Sequence, residues 1–200
     1  YFGENASPFG ATLNPYNPER SDSYEIGLKG RAFARRFAYN FAAYEYLYRD
    51  LQVAVLETGA SIIENIGHAT GRGVEAELHI APNAHWDMYA NGAFNYTRIE
   101  DFGSMSSQVG LPLNQAPRYN AAAGATYKWT ANSGKFSIGA STSMRGSYRD
   151  DNDLDTHEVR SYILYNVRAA YETLDGHYTA AIFADNLSNR FTYSRFSAAQ

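Results

Sequence analysis

The sequence predicts an all-β protein, an antiparallel transmembrane β-barrel wall of about eight strands. The first observation is alternation: in residues 86–98 every second residue from Trp86 to Tyr96 is apolar, small or aromatic, and polar residues dominate between them. Strand side chains alternate between faces, so such a segment meets two different solvents. The second observation is that the pattern recurs roughly every 25 residues. The third is length, since runs of ~10–13 residues suit membrane strands better than globular ones.

The composition agrees with a membrane barrel. The 200 residues include 17 Tyr, 11 Phe and 2 Trp, whereas only 44% of the chain is hydrophobic. Amphipathic aromatic rings favour membrane interfaces. No run approaches the ~18 consecutive apolar residues of a transmembrane helix, and barrel strands are only half apolar.

The first two strands are joined by a short basic turn. Tyr24, Ile26 and Leu28 alternate with polar or small residues in a strand at about 21–30, and residues 31–36 form the turn. The second strand begins at Phe37. After Ala43 its aromatic residues change parity, which predicts either a bulge or emergence from the bilayer. A long connection at about 49–66 follows, and its apolar stretch can prolong the hairpin above the membrane.

The remaining six strands show clearer alternation. Long connections are expected after the fourth strand and, as an acidic loop, at about 147–158. Short and long connections therefore alternate, as periplasmic turns and extracellular loops do in outer-membrane barrels. The predicted segments are 73–80, 86–98, 119–129, 136–144, 163–171 and 178–184.

The charges exclude several function classes. Lys and Arg number 17 against 21 Asp and Glu, without a basic stripe, so a nucleic-acid partner is not expected. The chain has no Cys, which removes thiolate metal sites and cysteine nucleophiles. Residues 1–10 lack the pattern of a signal peptide. Ser141 and Ser143 have no suitably spaced base, so we expect no catalytic residue and no enzyme.

Metal and anion motifs are weak. The five His residues show no ligand spacing, and a solvated barrel lumen explains His79 beside Glu75 and Glu77. Residues 151–162 imitate a calcium loop, but Thr156 and Tyr162 replace the Gly and Glu that such a loop requires. Gly71 and Gly73 precede a strand rather than a helix, so no phosphate site is expected there. We predict neither a metal site nor a cofactor.

Three phrases resemble the carboxy-terminal barrel of TonB-dependent outer-membrane receptors, in particular the siderophore-receptor branch. They are SDSYEIGLKG at 21–30, GHATGRGVEAEL at 67–78 and DNLSNRF at 185–191. Each phrase is short, but their order and spacing also match the family. The resemblance covers nearly the whole chain.

The resemblance implies a fragment of a larger protein. The complete receptor would be a 22-stranded barrel with an amino-terminal plug, and residues 1–200 would be the C-terminal portion of that barrel, without the plug and the last strand. It implies a bacterial outer-membrane location, contact with membrane lipid, and energy-coupled uptake of a scarce small-molecule ligand such as a metal chelate, for example a ferric siderophore. An inner-membrane energy-coupling protein would act through the plug.

Arg145, Tyr148 and Arg149 are the candidate ligand-binding residues. They cluster at the extracellular end of the sixth predicted strand, where cations and an aromatic ring can meet an anionic iron chelate. The alternative is an interfacial aromatic residue beside charges that Asp150 and Asp151 balance.

Two other functions remain open from the sequence. The chain can be a complete small eight-stranded outer-membrane barrel, acting as an adhesin or structural protein, or a soluble β-barrel binding protein. The sequence does not identify the ligand, because the loops and the plug determine selectivity.

Overall fold

The computed structural model describes residues 3–5, 14–57, 60–65, 67–102, 108–150 and 158–192. These residues contain no helix that is long and apolar enough to span a membrane. They form strands β1 Gly3–Asn5, β2 Asn14–Tyr16, β3 Arg20–Ala32, β4 Phe37–Arg49, β5 Gln52–Glu57, β6 Ala60–Asn65, β7 His68–Ile80, β8 Trp86–Ile99, β9 Tyr119–Ala131, β10 Gly134–Arg145, β11 Tyr148–Arg149, β12 Glu158–Val159, β13 Tyr162–Glu172 and β14 Thr179–Ala184.

Eight strands form one antiparallel sheet in the order β3, β4, β7, β8, β9, β10, β13, β14. Each strand pairs with the next one along the chain once the short hairpins β5–β6 and β11–β12 are left aside, and β1 pairs with β2. This confirms the predicted antiparallel wall of eight strands. Within the described residues the sheet is open, with β3 and β14 at its edges. A complete small barrel would instead pair these two strands.

The predicted bulge in the second strand is wrong, because β4 keeps one register with both neighbours. It pairs from Phe37↔Ile80 to Arg49↔His68 with β7, and with β3 over the same length, without an extra residue. The aromatic residues therefore change face. Tyr44 and Tyr46 lie over glycines of β7, where a Cβ on Gly73 would come within 2.5 Å of the Tyr44 hydroxyl. The other expectation, that β4 emerges from the bilayer at this point, stays a prediction.

One face of the sheet, here called the apolar face, carries the large hydrophobic side chains. Many of them are strongly exposed, including Ile26 at 77%, Phe94 at 51% and Ile138 at 55%. Water would penalise such a surface by roughly 25 cal/mol for each Å². The sheet thus exposes its apolar residues where a soluble β-barrel would bury them. The register aligns Leu28, Phe41, Ala76, Gly92, Ala121, Met144 and Ile163 in one row across this face.

The opposite face, here called the polar face, carries ion pairs and amides between neighbouring strands. Lys128 and His79 both contact the carboxylate of Asp87 at 3.0 Å, and Lys135 contacts Glu172 at 2.6 Å. The Asn40 amide donates to Glu77 at 3.3 Å. Charged and amide side chains of neighbouring strands therefore pair with one another on this face.

All four short connections lie at one end of the sheet, at residues 33–36, 81–85, 132–133 and 173–178. In the last one, the Thr173 hydroxyl donates to Asp175 and holds the pKa of that carboxyl below its ordinary value. Aromatic rings line the apolar face at this end. Consecutive ring centroids lie 5.0 to 5.8 Å apart along the series Trp86, Tyr127, Trp129, Phe136 and Tyr171. Such a series is typical of an interfacial girdle.

The sequence pattern missed parts of the ordered structure. β7 begins at His68 rather than Gly73. Within the predicted connection at 49–66, the pair β5–β6 prolongs the β4–β7 hairpin, as the apolar stretch predicted, because Gln52↔Asn65 follows Arg49↔His68. The loop at 147–158 contributes β11 and β12. Residues 151–157 lie outside the described residues. They include most of the calcium-like segment and also Asp151, which follows the candidate site in the sequence.

Two adjacent alanines of β9 test the assignment of the two faces. Ala123 lies beside Ala90 and Thr142 on the apolar face, whereas Ala122 lies beside Asn91 and Ser143 on the polar face. In the full-length protein in lipid vesicles, Ala123→Arg should lower the free energy of unfolding by about 2–4 kcal/mol, because its charge enters hydrocarbon. The control Ala122→Arg should cost less than about 1 kcal/mol. Reversible urea titration measures both, and equal losses would contradict the assignment.

Candidate functional site

The structure brings two of the three predicted ligand-binding residues into direct contact. Arg145 is the last residue of β10, and Tyr148 begins β11 after a two-residue link. The Arg145 guanidinium lies 4.3 Å from the centre of the Tyr148 ring. This distance is a cation–π contact, which orients the guanidinium without neutralising its charge.

Tyr148 is a buried support rather than an exposed contact surface. Its exposed fraction is 5%, and it pairs with Val159, which is 3% exposed. An aromatic residue of an interfacial girdle would be much more exposed, so the alternative of a girdle residue does not fit this position. The ring therefore contacts the Arg145 guanidinium while it is itself shielded from solvent.

Arg149 is anchored through loop 108–117. Its Nη2 donates to the Gln108 side chain at 3.1 Å, and its backbone carbonyl accepts from the Gln115 amide at 2.7 Å. The Gln115 side chain in turn donates to Asp150 at 3.0 Å. The Nε of Arg149 is buried and has no hydrogen-bond partner among the described residues. Leaving such a donor unpaired costs about 1–3 kcal/mol.

A small hydrophobic cluster holds the loops at this end of the sheet. Ile99 and Phe102 are 3% and 2% exposed, and Leu51 and Leu113 pack against them. Backbone hydrogen bonds reinforce the packing, since the Ile99 amide donates to Leu111 at 2.9 Å and the Leu113 amide donates to the Thr97 hydroxyl at 3.0 Å. Loop 108–117, which contacts Arg149, is therefore tied to the end of β8 and to the segment that follows β4.

The sheet register places Arg145 on the polar face between Asn120 of β9 and Tyr162 of β13. Tyr162 also lines a cavity of about 250 Å³ beside β12 and the segment after β14. Arg160 and Arg190 line the same cavity, together with Glu158. Sequence reasoning missed these residues because only the strand register shows that Tyr162 opposes Arg145.

The histidines give no metal centre in the described part of the chain. His79 contacts Asp87 rather than Glu75 or Glu77, and His85 contacts the Lys128 carbonyl at 2.8 Å. Among the described residues, no three His, Asp or Glu side chains are grouped closely enough to hold a metal ion.

Comparison with known proteins gives a consistent family. The family model described as "TonB dependent receptor-like, beta-barrel" matches residues 1–187. The probable TonB-dependent receptor BfrD of Bordetella pertussis is 25% identical over 198 residues, which cover 95% of this chain and 26% of that protein. The chain thus spans about a quarter of this relative.

Solved structures share the fold. The ferric yersiniabactin uptake receptor FyuA of Yersinia pestis superposes with a TM-score of 0.76 at 20% identity, covering 94% of this chain and 28% of that one. The siderophore receptor PiuA of Acinetobacter baumannii gives 0.75 at 20% identity, covering 90% and 26%.

Removing the Tyr148 ring should loosen the segment that follows Arg145. We expect Tyr148→Ala in the full-length protein to increase trypsin cleavage after Arg145 and Arg149 severalfold, because loss of a buried aromatic side chain costs about 3–5 kcal/mol. The measurement is the rate of cleavage at these bonds, followed by mass spectrometry. Tyr148→Phe keeps the ring and should behave as the unmodified protein. Equal cleavage in both variants would show that the ring does not support the loop.

Proposed function

The chain belongs to the TonB-dependent receptor β-barrel family, whose members are receptors and transporters rather than enzymes, and from this premise we propose that it is part of the wall of an outer-membrane uptake receptor. The receptor would take up a scarce ligand by energy-coupled transport. The observation that carries the proposal is the open eight-stranded sheet with one apolar and one polar face.

We assign residues 1–200 to the C-terminal portion of the barrel domain. The order of the three family-like phrases supports this assignment, and the share of 26–28% that the chain covers in BfrD and FyuA fits one part of a longer protein. The plug and the last strand would come from other parts of the receptor. Further strands would also cover the backbone edges of β3 and β14, since an unpaired backbone group in hydrocarbon costs several kcal/mol.

The location that suits these faces is the bacterial outer membrane. Membrane lipid would cover the apolar face, and water would fill the barrel beside the polar face. The short connections would face the periplasm and the long ones the outside, as in other barrels of this type. The apolar exposure of Ile26 and Ile138 argues against a soluble binding protein.

The ligand class that fits the loop end best is an anionic metal chelate, and we propose a ferric siderophore. Two solved structures with the same fold are named as a ferric yersiniabactin receptor and a siderophore receptor. The cavity beside Tyr162 is lined by two arginines, Arg160 and Arg190, and by one glutamate, Glu158. Arg145 adds another positive charge from the neighbouring strand. Guanidinium groups bind carboxylates and similar oxygen anions through paired hydrogen bonds.

Each residue of the site would have a distinct role. Arg145 would attract and orient the chelate, and Tyr148 would hold the guanidinium in place from below. Arg149 would fix the loop through Gln108 and Gln115. Iron would be cargo, and no resident cofactor is needed. An inner-membrane energy-coupling protein would supply energy through the plug, so this segment would contribute recognition and the passage wall.

Alanine substitution of Arg145 should weaken ligand binding by about tenfold, the loss expected when one charge-assisted contact is removed. The test uses the full-length receptor and a panel of ferric catecholate, hydroxamate and mixed chelates carrying radioactive iron. The measurements are the dissociation constant on intact cells and the rate of iron uptake. Arg145→Lys should recover part of the affinity, because the charge remains.

Arg31→Ala is the matched control for this test. Arg31 lies on the polar face of β3, opposite Ala38 and near the short turns at the other end of the sheet. Its removal should leave chelate affinity unchanged. If Arg145→Ala and Arg31→Ala have equal effects, Arg145 is not part of the binding site. If the unmodified receptor binds none of the ferric chelates, the siderophore proposal is wrong while the barrel assignment stands.

A further inference from the structure

A cavity of about 480 Å³ lies on the polar face of the sheet, between the candidate site and the short connections. Arg168 of β13 lines this cavity and also a second one of about 570 Å³, which is closer to the short connections. Arg168 is six residues from Tyr162 along β13, a distance of about 20 Å in an extended strand. The cavity that Arg168 lines is therefore distinct from the one beside Tyr162.

The strand register explains why there is space beside Arg168. Its direct partner on β10 is Gly139, and Thr126 of β9 lies opposite Gly139. A Cβ on Gly139 would come within 2.9 Å of the Thr126 hydroxyl, so a larger residue would have to displace that side chain. Tyr89 of β8 and Phe183 of β14 line the cavity from the two outer strands, and their side chains are 42% and 64% exposed.

The positive charge of Arg168 has no ion-pair partner in the part of the chain that the structure describes. Lys135, which lines the second cavity with it, contacts Glu172 at 2.6 Å. The salt bridges among the described residues do not include Arg168. Asp185 lines the 480 Å³ cavity and offsets part of the charge from a distance. An exposed guanidinium with this environment can bind an anion.

We propose that Arg168, Tyr89 and Phe183 form a second anion-binding subsite, which holds a carboxylate or similar oxygen anion of a metal chelate during its passage along the wall. A guanidinium binds such a group through two parallel hydrogen bonds, and the rings contact the apolar parts of the ligand. The cavity volume is within the ~300–1,000 Å³ of small-molecule sites. This inference rests on the proposed function, because it requires an anionic chelate to enter from the loop end.

Strand β10 connects this subsite to the candidate site. Arg145 is at the loop end of the strand, Gly139 lies opposite Arg168, and the polar-face residues between them are Ser143 and Ser141. Large side chains of β10 therefore do not obstruct the polar face over this stretch. Fixed positive charges at both ends favour an anion along it, because walls of low dielectric constant focus the field of such charges. This continuity favours a chelate as the occupant over a carboxylate of the plug.

Arg168→Gln in the full-length receptor should separate transport from binding. The probe is the radioactive ferric catecholate, hydroxamate or mixed chelate of the panel that the unmodified receptor binds. We expect the uptake rate at saturating chelate to fall about tenfold, because one charge-assisted contact is lost, while the dissociation constant on intact cells stays unchanged. Arg168→Lys should recover part of the rate. An unchanged uptake rate in Arg168→Gln would overturn the subsite.

Charged thiol reagents test the cavity without any chelate. The chain has no cysteine, so Ser141→Cys introduces a single thiol among the residues that line the cavity. The probes are two methanethiosulfonates, one carrying a sulfonate and the other a trimethylammonium group, applied to a receptor without other accessible thiols. Arg168→Gln should lower the ratio of the sulfonate rate to the trimethylammonium rate at least about fivefold. The matched control is Ser23→Cys on the polar face of β3, where Arg168→Gln should not change the ratio.

The outcomes distinguish this subsite from the alternatives. Equal rate ratios at Ser141→Cys with and without Arg168 would overturn the anion site. If Arg168 instead anchors the plug, Arg168→Gln would open the barrel and make cells sensitive to vancomycin, and that result would overturn the role in transport. If Arg145→Ala weakens binding while Arg168→Gln does not slow uptake, only this inference fails. If the unmodified receptor binds none of the chelates, the proposed ligand class fails first.

Discussion

The continuous antiparallel hydrogen-bond ladder is the constraint on which the rest of this structure depends. Among the described residues the two faces of the sheet bury little apolar surface: Ile26 is 77% exposed and Ile182 is 75% exposed. The buried apolar residues lie at the long-loop end, and they are Ala69, Ile99, Phe102, Tyr148 and Val159. In hydrocarbon, each backbone N–H and C=O group must be paired within the protein. The pairing of neighbouring strands satisfies this requirement inside the sheet, whereas the outer edges of β3 and β14 still need partners, and side-chain packing is secondary to this pairing.

The ladder also determines the chemistry of each face. Because side chains alternate with period two, a slip of one residue would exchange the two faces of a strand. The register places Arg145 opposite Tyr162 and Arg72 opposite Tyr96, so these groups depend on pairings between residues that are far apart in the sequence. The glycines contribute to register too, since Gly73 and Gly124 lie beneath the rings of Tyr44 and Tyr89. A larger residue at either position would push these rings away.

Alternation was sufficient to predict the eight main strands, their direction and their faces. It failed where both parities carry similar residues. Ala69 and Gly71, in the first part of β7, are small and buried. Large apolar residues therefore do not alternate with polar ones in this part of the strand. The tyrosines of β4 were ambiguous because sequence cannot show that glycines lie beneath them. Tyr148 was expected near a ligand, yet its burial depends on Val159 and on loop packing that no local pattern records.

Arginines at the same end of the sheet illustrate how surroundings decide the role of one residue type. Arg145 lies on the polar face, where its guanidinium contacts the buried ring of Tyr148 and the ring restricts its motion. Arg72 lies on the apolar face, where its guanidinium contacts the ring of Tyr96 on the neighbouring strand. Arg98 is one step further from the apolar band and is paired with Glu100. The same side chain can therefore contact a buried ring, contact a partly exposed ring or pair with a carboxylate, because the strand register determines its neighbours.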